Sequence, residues 1–481
     1  MQRRFISTVF LIILLNLLVK PLYLFGIDAQ VQNVVGSEDY GLYFSLLNFS
    51  FLFNIVLDVG MTSYNTKNIA AHPGTVVRYL GTILGTKIVF GFFYAMITLG
   101  VALVLGYDLL QLKLLSILVV NQFLVSLILY LRSNFAGLHL FKVDAVLSVL
   151  DRLLLIIICA LLLFGYFTEK AFQIEWFVYA QTASYGLTAI VALALTVVKI
   201  GKPRPKVKRL LTYAILRKSA PYALLILLMM LYSRVDAIML ERILDDGKEQ
   251  AGIYAQGFRL LDAAAIFALL IAGVLLPMFS RMIKEREDIR PLLQTAGKLM
   301  LGVALLVGFS CSFFAADLMK LIYVDQHTSS PKAFAWIILC FIPMTSTYVF
   351  GTLLTAKGAL KQLNIMAMTG FLLNILLNLL LIPQLQVEGA AITTFFTQIF
   401  TALWQMVLAL KLFKLRIYSP AVIRLFFYSL FLVAIAFLLD GLKLNNLLLF
   451  VVMLAVGGVS LFLFKLIQMR NLTLLLKNRR E

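Results

Sequence analysis

Four cations, Lys20, Lys87, Arg234 and Arg259, interrupt apolar runs long enough to cross a bilayer. A Lys or Arg at such a centre costs on the order of 2.5 to 3.5 kcal/mol unless it finds a partner, a water-filled cavity or a snorkelling route. Lys20 precedes Pro21 near the outer end of its run, so its stem has a way out to the interface as well as into a cavity. Lys87 lies roughly 12 Å into its run by helical rise, which strains snorkelling and favours a cavity. An excess of fixed cation inside a helical bundle suits an anionic substrate, because a phosphate recovers its desolvation cost only against Arg or Lys. These four residues are the candidate phosphate ligands.

The carboxylates Asp58, Asp236 and Asp262, with Asp151 beside them, are candidate proton or sodium sites, though each has a basic neighbour or a helix end that accounts for it equally well. Arg234 and Asp236 are two residues apart, about 200° around a helix, so at least one needs a partner on another helix. Arg259 and Asp262 are three apart and share a face; a structural ion pair and a substrate-binding role both stand open. Asn121, Gln122 and Ser126, and further on Asn374 and Asn378, have the chemistry to bond a sugar, but intramembrane polar groups more often bond a neighbouring helix. Gly81-x-x-x-Gly85 reads as a motif for close helix approach; it lacks the spacing of a phosphate loop.

Catalytic and metal chemistry have little to work with. Cys159, Cys311 and Cys340 fall in apolar runs without ligand spacing, and His72, His139 and His327 are scattered. The outer loops are about a dozen residues or fewer, with Asp245-Asp246 a lone acidic pair, so an extramembrane catalytic domain has no room. No enzyme, no cofactor and no metal site is expected.

The elements that must position these residues are transmembrane helices. The chain is 62% hydrophobic and 14% charged, whereas soluble domains carry about a quarter charged residues. Apolar stretches near 5–25, 40–64, 79–105, 112–136, 146–167, 173–198, 219–244, 252–279, 295–317, 332–356, 363–383, 388–411, 422–440 and 445–468 predict an all-α integral membrane protein of about fourteen spans. The net charge of +19 raises nucleic acid as a partner, and its distribution excludes it. Most of the 42 lysines and arginines fall on one set of alternate loops, including Arg3 and Arg4, Lys199 to Lys218, Arg281 to Arg290, Lys411 to Arg424 and Arg470 to Arg480. That asymmetry is the positive-inside pattern, and it places both termini in the cytoplasm with a multi-pass chain in a bacterial inner membrane. Arg3 and Arg4 before an apolar run resemble a secretory signal, but no small-x-small cleavage site follows, so the segment is expected to stay as the first span.

Glu38-x-x-Gly41-Leu42-Tyr43, between the first two spans, recurs as Glu249-x-x-Gly252-Ile253-Tyr254 between the seventh and eighth. The equivalent positions suggest two parallel six-helix lobes. The expected organisation is an N-lobe over 1–198 with helices one to six, a basic linker over 199–218 and a C-lobe over 219–411 with helices seven to twelve. Residues 412–481 then supply a C-terminal helix pair and a basic tail.

Four stretches carry a family resemblance. They are Gly36 to Tyr43; Leu57-Asp58-Val59-Gly60-Met61; Leu231 to Leu240 with Ala251-Gly252-Ile253-Tyr254 and Phe258-Arg259-Leu260; and Ala356-Lys357-Gly358 through Pro383 to Glu388-Gly389-Ala390-Ala391. With them the chain resembles the O-antigen flippase-like branch of the multidrug/oligosaccharidyl-lipid/polysaccharide exporter superfamily. The resemblance implies a flippase that moves an undecaprenyl-diphosphate-linked oligosaccharide, an O-antigen, capsule or exopolysaccharide unit of polysaccharide or lipopolysaccharide biosynthesis, across the inner membrane by alternating access. The diphosphate would meet cavity cations, and helices thirteen and fourteen would support the prenyl tail. Arg234, Arg259 and Asp236 fall inside matching motifs; Lys20 and Lys87 rest on the cation argument. Membrane lipid, a glycan polymerase and glycosyltransferases are the further implied partners. A cation-coupled multidrug exporter and a peptidoglycan-precursor flippase of the same superfamily are the alternatives.

Overall fold

A computed structural model describes residues 18–72, 74, 76–138, 140–163, 172–207, 209–324, 327–415, 419–442 and 444–467. Among these residues there is no strand, as expected of a chain whose backbone groups must be satisfied within each spanning segment. Contacts divide the chain into two compact units, one ending at Gly252 and the other starting at Ile253.

In the first unit a helix described from Leu18 passes through a π-helical turn, Leu24–Asp28, directly into α1 (Ala29–Leu52). α1 is two helices joined at Gly36, whose φ of 83° and ψ of 169° only glycine adopts without strain. The expected loop between the first two spans is therefore little more than this one residue. The second span continues in pieces as α2 (Ile55–Asp58) and α3 (Met61–Ala71), with Val59 and Gly60 left-handed between them. Then follow α4 (Val76–Val104), α5 (Leu109–Gly137), α6 (Phe141–Leu163), α7 (Ile174–Lys199) and α8 (Arg209–Ile243). α5 starts cleanly because Asp108 and Gln111 form a capping box: the Gln111 N–H donates to Asp108 Oδ1 at 2.7 Å and the Asp108 N–H donates to Gln111 Oε1 at 3.0 Å. The unit's core is built on Leu127, Tyr130, Leu131 and Phe135 of α5, packed with Leu80 and Ile83 of α4 and Ala189 and Ala192 of α7.

Two sequence features take an unexpected form here. Helix α8 begins at Arg209, inside the stretch expected as linker, while the extended part, 201–207, holds Pro203 and Pro205. Gly81 and Gly85 do admit a close approach, but of this linker rather than of a helix. The Lys206 N–H donates to the Gly81 carbonyl at 3.0 Å, and a Cβ on Gly81 would come within 2.1 Å of the Arg204 carbonyl oxygen. The two copies of the repeated motif also meet. A Cβ on Gly41 would lie 1.8 Å from the Lys248 carbonyl oxygen, and one on Gly252 would lie 1.9 Å from that of Ser37. The Gln32 side-chain amide donates to the Gly252 carbonyl at 2.9 Å beside them.

The boundary between the units falls inside α9 (Gly247–Glu285), which runs on through Pro277. The second unit adds α10 (Arg290–Phe313), α11 (Ala315–Ile322), α12 (Ser330–Leu339) and α13 (Phe341–Lys357), then α14 (Leu360–Leu412), α15 (Ser419–Asp440) and α16 (Asn446–Leu463). α14 is two helices that turn at Gln386, where φ is 50° and ψ −128°, between Pro383 and Gly389. The expected helix pair at the C-terminal end packs on α10: Leu306 joins Tyr428 and Leu432 of α15 and Met453 of α16, and the Tyr428 hydroxyl donates to the Gly457 carbonyl at 3.1 Å.

Eleven helices among the described residues are long and apolar enough to cross a membrane. Counting α14 as two and restoring the broken second span brings this close to the expected fourteen.

Candidate functional site

In the first unit, the break after α2 exposes a carboxylate and a carbonyl that the sequence alone does not pair with anything. Lys87, on α4, reaches both. Its Nζ donates to Asp58 Oδ1 at 2.8 Å, to the Leu57 carbonyl at 3.1 Å and to Ser126 Oγ of α5 at 2.8 Å. The Lys87 side chain is 2% exposed and that of Asp58 32%. Asp58 also accepts from the Thr62 N–H at 3.2 Å and from the Thr62 hydroxyl, capping α3. The ammonium therefore has three oxygen partners, the full number it can serve, and Lys87 and Asp58, proposed separately from sequence, form one unit that staples the broken second span.

A second group of charges gathers where the first helix meets α6 and α7. Arg152 of α6 places its guanidinium carbon 4.9 Å from the ring centre of Tyr23 and 5.9 Å from that of Tyr185, and its Nη1 donates to the Tyr185 hydroxyl at 3.3 Å. Asp151, its chain neighbour, lies at 3.8 Å from Nε. Lys20 is half-buried among the charges of Arg152, Asp151 and Arg132, and Arg132 is held at 2.7 Å by Asp144. One turn along, the buried Asp28 accepts the Tyr23 hydroxyl at 3.0 Å and the Tyr40 hydroxyl at 2.7 Å. A π-helical turn at this point brings Tyr23 and Asp28, five residues apart, into one bond.

Sequence reasoning missed Arg152 and Asp28. Arg152 looked like the neutralising neighbour of Asp151, yet adjacent helical residues diverge by about 100° and make only the loose contact observed. Asp28 lay beyond the expected end of the first span; the run from Ile27 to Val35, with no Gly or Pro in it, was the available clue.

Arg234, on α8, is half-buried with its Nη1 at 3.5 Å from Asn48 Oδ1 and its guanidinium 5.5 Å from the Phe51 ring centre, while Asp236 turns away and is fully buried. The two residues do diverge around the helix as their spacing requires. In the second unit Arg259 and Asp262 lie one turn apart on α9, both half-buried. Asn378 donates to Asn374 Oδ1 at 3.2 Å on α14, and the Tyr254 and Thr394 hydroxyls lie 2.9 Å apart. The three cysteines are free thiols, and no group of His, Cys, Asp or Glu among the described residues is arranged to hold a metal. His139 lies outside the described residues.

Many helices long and apolar enough to cross a membrane, with charges set within them, mark a multi-pass membrane protein. The family model for polysaccharide biosynthesis protein matches residues 6–283, more than half of the chain, and the chain belongs to that family. A comparison with curated proteins returned no match. Among solved structures the fold is similar to that of the lipid II flippase MurJ in an inward closed conformation, at TM-score 0.71 and 15% identity over 96% of this chain and 100% of that one. It is similar to a mutant of the Vibrio cholerae MATE transporter VcmN, at TM-score 0.60 and 16% identity over 85% and 97%. A MOP superfamily transporter from Pyrococcus furiosus, described as having a binding pocket of reverse polarity that suggests a different function, matches at TM-score 0.60 and 14% identity over 85% and 96%. The fold is thus shared with proteins named as a flippase and as transporters.

Proposed function

We propose that this chain moves an undecaprenyl-diphosphate-linked oligosaccharide across a bacterial inner membrane by alternating access. The observation that carries the reading is the set of fixed cations within the apolar helices, Lys20 and Arg152 foremost, in a family of polysaccharide biosynthesis proteins. A diphosphate needs such charges to leave water, whereas a cationic drug is repelled by them. Arg234 and Arg259 are further diphosphate ligands in this reading, and Asp236 and Asp262 remain the candidates for ion coupling or for pairing with them. Lys87 and Asp58 take a different part: their mutual bond holds the broken second span in shape.

The lobes are proposed at 1–198 and 219–411, joined by the basic linker, with both termini cytoplasmic and the C-terminal helix pair beside the prenyl tail. O-antigen, capsule and exopolysaccharide units are all of the right chemical class, and the polymerase and glycosyltransferases that handle them are the expected partners. Likeness to a lipid II flippase over nearly the whole chain favours a peptidoglycan precursor as the second reading. Complementation separates the two. Restoration of surface glycan in a glycan-flippase deletion strain supports the first, and rescue of a strain depleted of its lipid II flippase, without glycan restoration, supports the second.

A further inference from the structure

We infer that the segment from Lys202 to Lys206 is a docking strap for anionic phospholipid headgroups, pinned to α4 by Gly81 and Gly85 so that its three cations are presented at the bilayer surface. The inference concerns the lipid around the protein and does not depend on what the protein carries.

Position comes first. α7 ends at Lys199, and the apolar span of α4 begins at Tyr79. The strap leaves the end of α7 and touches α4 at Gly81 and Gly85, within the first two turns of that span. A helix that ends beside the strap and one that begins beside it share one membrane surface, which sets the strap at the height of the headgroups. Val198, Val207 and Tyr213 are exposed on its flanks, apolar and amphipathic side chains suited to that interface.

The backbone of the strap is held. The Lys206 N–H donates to the Gly81 carbonyl at 3.0 Å, a Cβ on Gly81 would collide with the Arg204 carbonyl oxygen, and one on Gly85 would lie 2.7 Å from that of Lys206. Pro203 and Pro205 restrict the chain further. Its ordering cost is therefore met before any ligand arrives.

The side chains of Lys202, Arg204 and Lys206 are exposed, and none has an ion-pair partner among the described residues. No Asp or Glu occurs between Glu175 and Asp236, or between Asp58 and Asp108, the stretch that contains α4. The basic segment at 281–290 is different: it carries Glu285, Glu287 and Asp288, and Arg281 is held by Glu285 at 2.9 Å. Alternate residues of an extended chain are about 6.6 Å apart, so the three cations reach more than one lipid phosphate. Unneutralised Lys and Arg beside a membrane attract anionic lipid.

The test titrates the full-length chain, in lipid-stripped dodecyl maltoside micelles, with dioleoylphosphatidylglycerol and reads the bound lipid by native mass spectrometry. Lys202→Gln, Arg204→Gln and Lys206→Gln together should leave a monodisperse protein and weaken binding about tenfold or more. The matched triple Lys284→Gln, Arg286→Gln and Arg290→Gln, with the same change in net charge, should bind as the unaltered chain does. Gly81→Leu with Gly85→Leu keeps every cation but releases the strap, and should also weaken binding. Equal weakening by the two charge triples would reduce the effect to net charge and overturn the site. Unchanged affinity in the strap triple, or equally tight binding of dioleoylphosphatidylcholine by the unaltered chain, would overturn it as well. Tighter binding of soluble poly-glutamate, lost in the strap triple, would make this a docking surface for an acidic protein and overturn the lipid assignment.

Discussion

At the scale of single residues, some intramembrane charges serve structure, and others are those we propose for a ligand. Lys87 belongs to the first kind. Removing one partner of a buried pair leaves an uncompensated charge, at a cost of about 3 kcal/mol, so Lys87→Met should sharply lower the melting temperature of the detergent-solubilised protein. The double variant Lys87→Met with Asp58→Asn should recover part of that loss, since no bare carboxylate remains. Equal melting of single and double variants would mean that the pair contributes no coupling. Arg234 is proposed for the second role; it lies 3.5 Å from Asn48 and over the face of Phe51. Arg234→Ala should abolish surface glycan export while leaving the amount of folded protein near normal; loss of both together would mark a structural role. The sequence exposed Lys20, Lys87 and Arg234 as anomalies because each interrupts an apolar run. It concealed their partners, since Lys87 meets Asp58 and Ser126 from other helices, at 29 and 39 residues' distance.

At the scale of elements, the repeated Glu-x-x-Gly-aliphatic-Tyr motif acquires a physical reason. Gly41 and the backbone around Gly252 pass so closely that a side chain on either would collide with a carbonyl oxygen rather than with a movable side chain. Gly41→Val and Gly252→Val should each force α1 and the start of α9 apart, giving a loss of several kcal/mol of the kind overpacking produces, read as a fall in monodisperse protein on size exclusion. Gly81 and Gly85 make a parallel case with a different partner. Leucine at both should expel the segment Arg204 to Lys206 from α4, and trypsin should then cut the purified protein in that segment faster than it cuts the unaltered chain. Glycine spacing in the sequence announced a close approach, but not whether a helix or an extended strap would make it. The breaks in the second span were also hard to foresee. The left-handed Val59 has no signature in the sequence, and the bond from Lys87 to the Leu57 carbonyl beside it comes from another helix.

For the whole molecule, the helical class and its approximate number of spans were legible because every crossing segment must satisfy its own backbone in an apolar run. The family was legible as well, through short motifs that lie at helix ends and breaks, where few residues have the required geometry. The substrate was not, because sugar recognition rests on contacts without fixed spacing, while only the phosphate leaves a mark as intramembrane cations. The central claim is that this chain carries a prenyl-diphosphate-linked oligosaccharide from the cytoplasmic to the outer leaflet. The most direct measurement is the leaflet distribution of that lipid in cells depleted of the protein, read with a glycan-specific label applied before and after opening the membrane. The account predicts accumulation on the cytoplasmic face, reversed by the unaltered chain and not by Arg152→Gln. Arrival of the lipid-linked glycan at the outer leaflet at the same rate with and without the protein would contradict it.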